Sequence, residues 1–483
     1  MPPLAVCILS ATAFAQIAKS ERGQTAMSRL RITIQDADTG QTTRAAVCIR
    51  GPDGKAVVPE DRLAVFLLPH RRGSRVHEEF RVGLHTVPCT FFASDGEFQV
   101  DVPAGKYTIF ASKGLEYRPV RDEVDVRGDG VERTYRLARW IDMKELGWYS
   151  FDEHIHGDGN EVAPWLDACD LNAACVFSYW NHNKWDPLRP EAHIFEQTPP
   201  PAISSMNQEV ERHSELFGAI HLSNMKRFIP YDPKLANFTY IEQVRKQGAT
   251  IGYAGLKGLT EFAVDMALGL LDYWCHSGNN PLYYHALNAG FKLPIGDGSR
   301  CGVSNLIYGN QRNYVKVDGE LTYDSLFDAV RSGRTFKTSG PMIFLNINGR
   351  DIGDTIRVSA DTTSVDVDLT ARFVRPLNQV TIVRNGEVAK VVPVEQGQTE
   401  VRFEGSVDLS ESSWFNVSVN PGNAQTSPIY VLRGDEPIRV RESVEALLKL
   451  VEEFATTVGP KLTADERATV ARAKQVYIDK LKP

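Results

Sequence analysis

Period-two alternation at both ends of the chain, interrupted by a middle stretch with a different rhythm, constrains the fold more than any other feature. Near the start Leu30, Ile32 and Ile34 alternate with polar residues, and Phe98, Val100 and Val102 alternate up to a Pro103-Ala104-Gly105 turn, after which Tyr107 and Ile109 continue. Alternation of this kind puts one face of a strand in a core and the other in water. Residues 28–138 are therefore expected to form a small β-sandwich. Past Met342 the pattern returns: Phe344, Asn346 and Asn348 lead into a Gly349 turn, and Val365, Val367 and Leu369 alternate, predicting a second β-sandwich over 341–435.

Between them, over 140–340, short apolar runs such as 173–177 and 249–253 are separated by helical stretches at 240–247 and 264–273. Strand and helix in repetition predict an α/β domain with a parallel sheet or barrel, with functional groups on loops at the strand C-termini. Thr322 can cap a helix whose face is Tyr323, Leu326, Phe327 and Val330, and Gly333 can end it. The tail, 440–483, reads as a helical hairpin: Val444, Leu447, Leu448, Val451 and Phe454 lie on one face, Gly459-Pro460 stops the first helix, and Thr463-x-x-Glu466 is a capping box for the second. The fold class is thus multidomain α/β plus all-β, in keeping with 483 residues at roughly 150 per domain.

Composition excludes several roles. With 42% hydrophobic and 24% charged residues the chain has the balance of an ordinary globular protein. A formal net charge of −7, without a Lys/Arg block, gives no footprint for nucleic acid. No run of about 18 uncharged apolar residues offers a membrane span. Residues 1–16, an apolar run ending in Ala13-Phe14-Ala15, fit a signal peptide that lacks a basic n-region, so export to the periplasm or the extracellular space is expected. Cleavage would remove Cys7 and leave Cys48, Cys89, Cys169, Cys175, Cys275 and Cys301, an even count that permits disulfides without fixing their pairing.

Eight of the eleven histidines lie between His154 and His285. Asp152-x-His154-x-His156 ends an apolar segment; on a strand, positions two apart share a face, so a carboxylate and two imidazoles would converge as a divalent metal requires. A lone His-x-His is weak, but His182 follows a buried-looking run, and Glu209 and His221 add a carboxylate and an imidazole downstream. His193, His213, His276 and His285 read as structural. Ser299 and Ser339 sit near glycines but not in a nucleophile elbow.

The run Trp148 to His156, then Asp170-Leu171-Asn172-Ala173 and Asn207-Gln208-Glu209, resembles the PHP (polymerase and histidinol phosphatase) domain of CehA/McbA-like metallohydrolases. The likeness continues at 267–272, at 284–291, in Leu293-Pro294, in Arg312-Asn313-Tyr314-Val315 and through 332–341, covering about residues 140 to 355. It implies a distorted (β/α)7 barrel with up to three divalent metals, usually zinc, manganese or iron, at the strand C-termini. It places ligands at His154, His156, His182, Glu209 and His221. The chain departs from the family twice: Gly255 stands where relatives carry a histidine, and Arg300 where they carry an aspartate. The resemblance therefore implies one or two ions, with Asp297 as a substitute ligand.

Two functions follow. In the first, a metal-activated water attacks an ester, amide, carbamate or phosphoester; Glu209 bridges, Asp152 orients an imidazole, and Arg300 or Lys257 steadies the developing oxyanion. The partner is then a small-molecule substrate. In the second, Arg300 neutralises Glu209, and a degenerate domain serves as a binding or scaffold module whose sandwiches contact carbohydrate or protein.

Overall fold

The computed structural model describes residues 27–65, 80–157, 159–177, 179–180, 202–203, 207–212, 216–232, 234–254, 260–275, 281–302 and 304–482. The expected signal segment 1–16, His182, Gly255 and Lys257 lie outside these residues.

At the N-terminal end two sheets face each other. Strand Met27–Asp36 runs parallel to Val131–Leu137 and antiparallel to Glu97–Pro103. The second sheet contains Ala45–Arg50, Gly105–Ser112 and Val120–Val126. Leu30, Ile32 and Ile34 meet Val47, Ile49 and Ile109 between the sheets. The continuous apolar run in Ala45–Arg50 has a second cause: Ala46 and Cys48 point the other way, into a cluster with Trp165 and Leu166 of helix Gly159–Ala168. A strand covered on both faces loses its alternation. Cys48 is joined to Cys89, while Cys169, Cys175, Cys275 and Cys301 are free and buried.

The middle region is mixed α/β, and here the structure differs from the expected barrel. Its strands belong to an eleven-stranded and a six-stranded sheet, and among the described residues neither closes into a ring. Trp148–Ile155 pairs parallel with Ala173–Val176 and antiparallel with Arg312–Lys316. In the other sheet Gln208–Arg212, Gly218–Ser223 and Thr250–Ala254 are antiparallel, and Thr250–Ala254, Tyr273–Cys275 and Ile295–Gly296 are parallel. The expected boundary at 340/341 is also crossed by pairing: Thr335–Thr338 bonds to Ala424–Thr426, so one sheet runs from the middle region into the C-terminal sandwich. The opposing sheet of that sandwich is built on Met342–Ile347, Ser364–Arg372 and Glu400–Asp408.

Helix Tyr323–Arg331 starts at a Thr322–Ser325 capping box, and Ala464–Lys480 at the Thr463–Glu466 box. Helix Arg441–Thr457 buries Val444, Leu447, Val451 and Phe454, each worth roughly 1.5–3 kcal/mol of transfer free energy, against the core that includes Phe262 and Trp274. Tyr477 in the second helix donates to the Ala263 carbonyl at 2.7 Å, which ties the hairpin to the middle region.

Candidate metal centre

The site is built on the end of the Trp148–Ile155 strand, where every residue from Ser150 onward is buried. The register against Ala173–Val176 slips between Asp152 and Ile155. Irregularities of this kind re-aim side chains beside functional sites. Strict alternation is lost, and Glu153 and His154, adjacent in sequence, join one cluster with His221 and Cys275 whose potential ligand atoms all lie within 4.8 Å of one another.

Asp152 does not join the imidazoles, contrary to the expectation from alternation. Its Oδ1 accepts from the backbone N–H of Ser299 at 2.9 Å and of His154 at 3.2 Å, and its Oδ2 from that of Gly309 at 2.7 Å. Burial pushes its carboxyl up to about 6 despite these donors. Asp152 thus fastens the 298–309 segment to the strand. The approach is close enough that a Cβ on Gly298 would stand 2.5 Å from the His154 backbone nitrogen and 2.8 Å from Asp152 Oδ1.

Cross-strand register supplies the other half. Glu209 pairs directly with His221, His221 with Gly252, and Gly252 with Tyr273, so all four lie in one row. A Cβ at Gly252 would come within 2.4 Å of the Tyr273 ring, which leans across that position.

The two halves converge on Glu209. His154 Nε2 and His156 Nε2 are 3.0 Å apart, and Glu209 Oε2 lies 3.6 Å from the first and 3.3 Å from the second. His221 Nε2 lies 3.7 Å from Glu209 Oε1. A tetrahedral ion with ligands at roughly 2.0–2.1 Å has ligand–ligand edges of about 3.3 Å, so these spacings fit a bound cation. Two further observations agree. Glu209 Oε2 and His221 Nε2 are buried and take no hydrogen bond among the described residues, a costly state for groups that nothing bridges. Burial pushes the Glu209 carboxyl up, and the His154 and His156 imidazoles outweigh it and hold the group well below the usual carboxylate range.

Glu153 orients His221. Its Oε2 lies 3.3 Å from His221 Nδ1 and accepts from the Tyr273 hydroxyl at 3.2 Å, while Oε1 accepts from the Cys275 thiol. A carboxylate on one ring nitrogen directs the other toward a metal. Burial pushes the His221 imidazole down, and Glu153 with Glu209 reverses this, raising it to about 9. The ring of Phe177 lies 5.4 Å from that of His154 and 4.6 Å from that of His221, and Trp180 lies 4.5 Å from His156.

Of the candidates read from sequence, the structure brings together His154, His156, Glu209 and His221. Asp297 is held elsewhere: its Oδ2 faces Lys337 Nζ at 3.4 Å and accepts from Gln311. Arg300 has a left-handed backbone, φ 52°, and its N–H donates to the His154 carbonyl at 2.7 Å. Among the described residues no ion pair joins Arg300 to Glu209, whose carboxylate is faced by imidazoles instead. Glu153, Tyr273, Cys275 and Lys337 escaped the sequence reading. Glu153 is out of phase with its neighbours on an ideal strand, and the other three sit in apolar or basic runs without a motif.

No family model matches the chain, and no curated protein does. Among solved structures the chain is similar to the Bacillus anthracis TIE protein, with 14% identity and a TM-score of 0.16 over 28% of this chain and 20% of that one, a likeness that bears on neither fold nor function.

Proposed function

We propose that this chain is a metal-dependent hydrolase of the PHP class, resembling the CehA/McbA-like enzymes, that cleaves an ester, amide, carbamate or phosphoester of a small molecule. The carrying observation is the convergence of His154, His156 and Glu209 at 3.0–3.6 Å, with His221 aimed at the same carboxylate. These four residues, with His182 as the resemblance implies, would hold one or two divalent ions such as zinc, manganese or iron. When bound, such an ion lowers the pKa of a coordinated water and polarises the scissile carbonyl or phosphoryl group. The protein's own part is to gather the imidazoles of His154, His156 and His221 around Glu209, to fix His221 through Glu153, and to keep water out with Phe177 and Trp180. In this reading the two open sheets are a distorted form of the family's barrel. The Cys48–Cys89 disulfide supports an oxidising, exported setting.

The test is metal analysis of purified protein followed by assay of ester, amide and phosphoester substrates with and without zinc or manganese. At least one equivalent of metal and a metal-dependent turnover are expected, and Glu209→Gln should lose both. A folded, metal-free preparation that cannot be loaded overturns the reading.

A further inference from the structure

The outer face of the sheet that holds Ala45–Arg50, Gly105–Ser112 and Val120–Val126 is only partly covered. Ala46, Cys48 and Arg50 alternate onto that face. The first two pack into the core shared with helix Gly159–Ala168, whereas Arg50, the last residue of its strand, is exposed. Cross-strand register sets Phe110 beside Cys48, Arg121 beside Phe110, and Thr108 beside Arg50. The Cys48–Cys89 disulfide clips the segment carrying His85 and Val87 over this face, and the His85 ring stands 5.7 Å from that of Phe110. Sheet and segment together line a cavity of about 280 Å³. Pockets for small ligands begin at roughly 300 Å³.

The lining divides by chemistry. Phe110, Val87 and the disulfide are buried and apolar. Its charged members are the exposed guanidinium groups of Arg50 and Arg121, and no aspartate or glutamate lines the cavity among the described residues. Arg50 Nε donates to the Gly54 carbonyl at 3.1 Å, which steadies that side chain. Among the described residues neither arginine forms an ion pair, and Glu123, two positions beyond Arg121 on the same face, joins neither. Burial, then the Arg375 and Arg121 charges, hold the His85 imidazole below its ordinary range, so near neutral pH it is an uncharged hydrogen-bonding ring. On a chain with a formal net charge of −7, two arginines thus stand without a carboxylate beside an apolar hollow.

We propose that this cavity binds a small organic carboxylate, its apolar ring against Phe110 and the disulfide and its carboxylate held by Arg50 and Arg121. A planar guanidinium presents paired N–H donors that match carboxylate geometry. A few polar groups set on an apolar lining are the general make-up of a small-molecule site. An inorganic anion would meet the arginines and leave the apolar surface without a partner. Every lining residue falls between Cys48 and Arg121, and none belongs to the metal centre, so the site stands whether or not that centre holds an ion.

The probe is benzoate, titrated into the full chain by calorimetry at low salt. A dissociation constant on the order of 1 mM is expected for so small a ligand. Arg50→Gln and Arg121→Gln should each weaken binding at least about tenfold. Both residues are exposed, so the variants should keep the wild-type melting temperature. Arg136→Gln, at an exposed arginine of the opposing sheet, should leave benzoate affinity unchanged. Benzamide, which has the shape without the charge, and acetate, which has the charge without the ring, should each bind at least about tenfold more weakly than benzoate. Benzoate affinity unchanged in both glutamine variants overturns the proposal, and benzoate held at the metal centre would give that result. Benzamide or acetate equal to benzoate overturns it as well, and so does the absence of benzoate binding up to about 20 mM. Phosphate that competes as strongly as benzoate marks a simple anion site and counts equally against it.

Discussion

Glu153 Oε2 lies 3.3 Å from His221 Nδ1, and the opposite nitrogen of that ring lies 3.7 Å from Glu209 Oε1. A carboxylate that is not itself aimed at the convergence point thus sets the direction of a residue that is. The arrangement depends on the slipped register of the Trp148–Ile155 strand, which lets Glu153 and His154 join one cluster with His221 and Cys275. Glu153→Gln keeps the shape but weakens the hold on the imidazole. Metal affinity should fall by roughly 10–100-fold with little change in secondary structure, as measured by competition with a chromophoric chelator.

Gly298 is the point of closest approach between the 298–309 segment and the ligand strand. A methyl group there would meet backbone and side-chain atoms of His154 at 2.5 Å. Gly298→Ala should displace His154 and reduce bound metal, whereas Gly459→Ala, between the two C-terminal helices where a Cβ meets nothing within 4 Å, should leave metal content unchanged. Elemental analysis of the two proteins distinguishes a local steric effect from general destabilisation.

Helix Thr260–Ala267 buries two acids one turn apart. Glu261 accepts from the N–H groups of Asn237 and Phe238 at the start of helix Asn237–Arg245, and both oxygens of Asp265 lack a hydrogen bond among the described residues. Burial pushes Glu261 up to about 8, against the pull of Arg212, and drives Asp265 well above its ordinary value. The folded state therefore holds protons that the unfolded chain releases near pH 4, so stability is full below that point and is lost as pH rises toward about 8. Asp265→Asn should flatten this slope, read as the urea midpoint across pH 5 to 8. A wild-type midpoint that rises over the same interval contradicts the assignment.

Phe454 is fully buried and packs edge-on against Phe217 with ring centroids 5.9 Å apart. Phe454→Ala should cost about 3–5 kcal/mol in denaturant unfolding, because the hairpin closes the same core that Phe262 and Trp274 share. Val388, exposed on its strand, serves as the control, and Val388→Ala should shift the midpoint little.

Much of the architecture was legible locally. Leu30, Ile32 and Ile34 are buried in alternation, as are Val365, Val367 and Leu369, because period two reports which face of a strand meets a core. Both capping boxes form where Thr322 and Thr463 stand, since each is a contact between residues three apart. The sandwich boundary at 340/341 was not legible, because pairing of Phe336 with Thr426 links residues whose local patterns carry no trace of each other.

Local pattern was enough to mark the alternating strands and the two capping boxes, and to single out His154, His156, Glu209 and His221 as candidate ligands. Those properties follow from neighbours a few positions away. What each polar group meets was set by the packing of strands distant in sequence. Packing of residues 298–302 and 309 against the strand gave Asp152 its backbone N–H partners, and the register slip that follows Asp152 brought Glu153 to His221. Strand order set Lys337 against Asp297, forty residues earlier in the chain. A buried charge must be matched wherever packing leaves it, and the matching partner is chosen by the layering of strands rather than by distance along the chain.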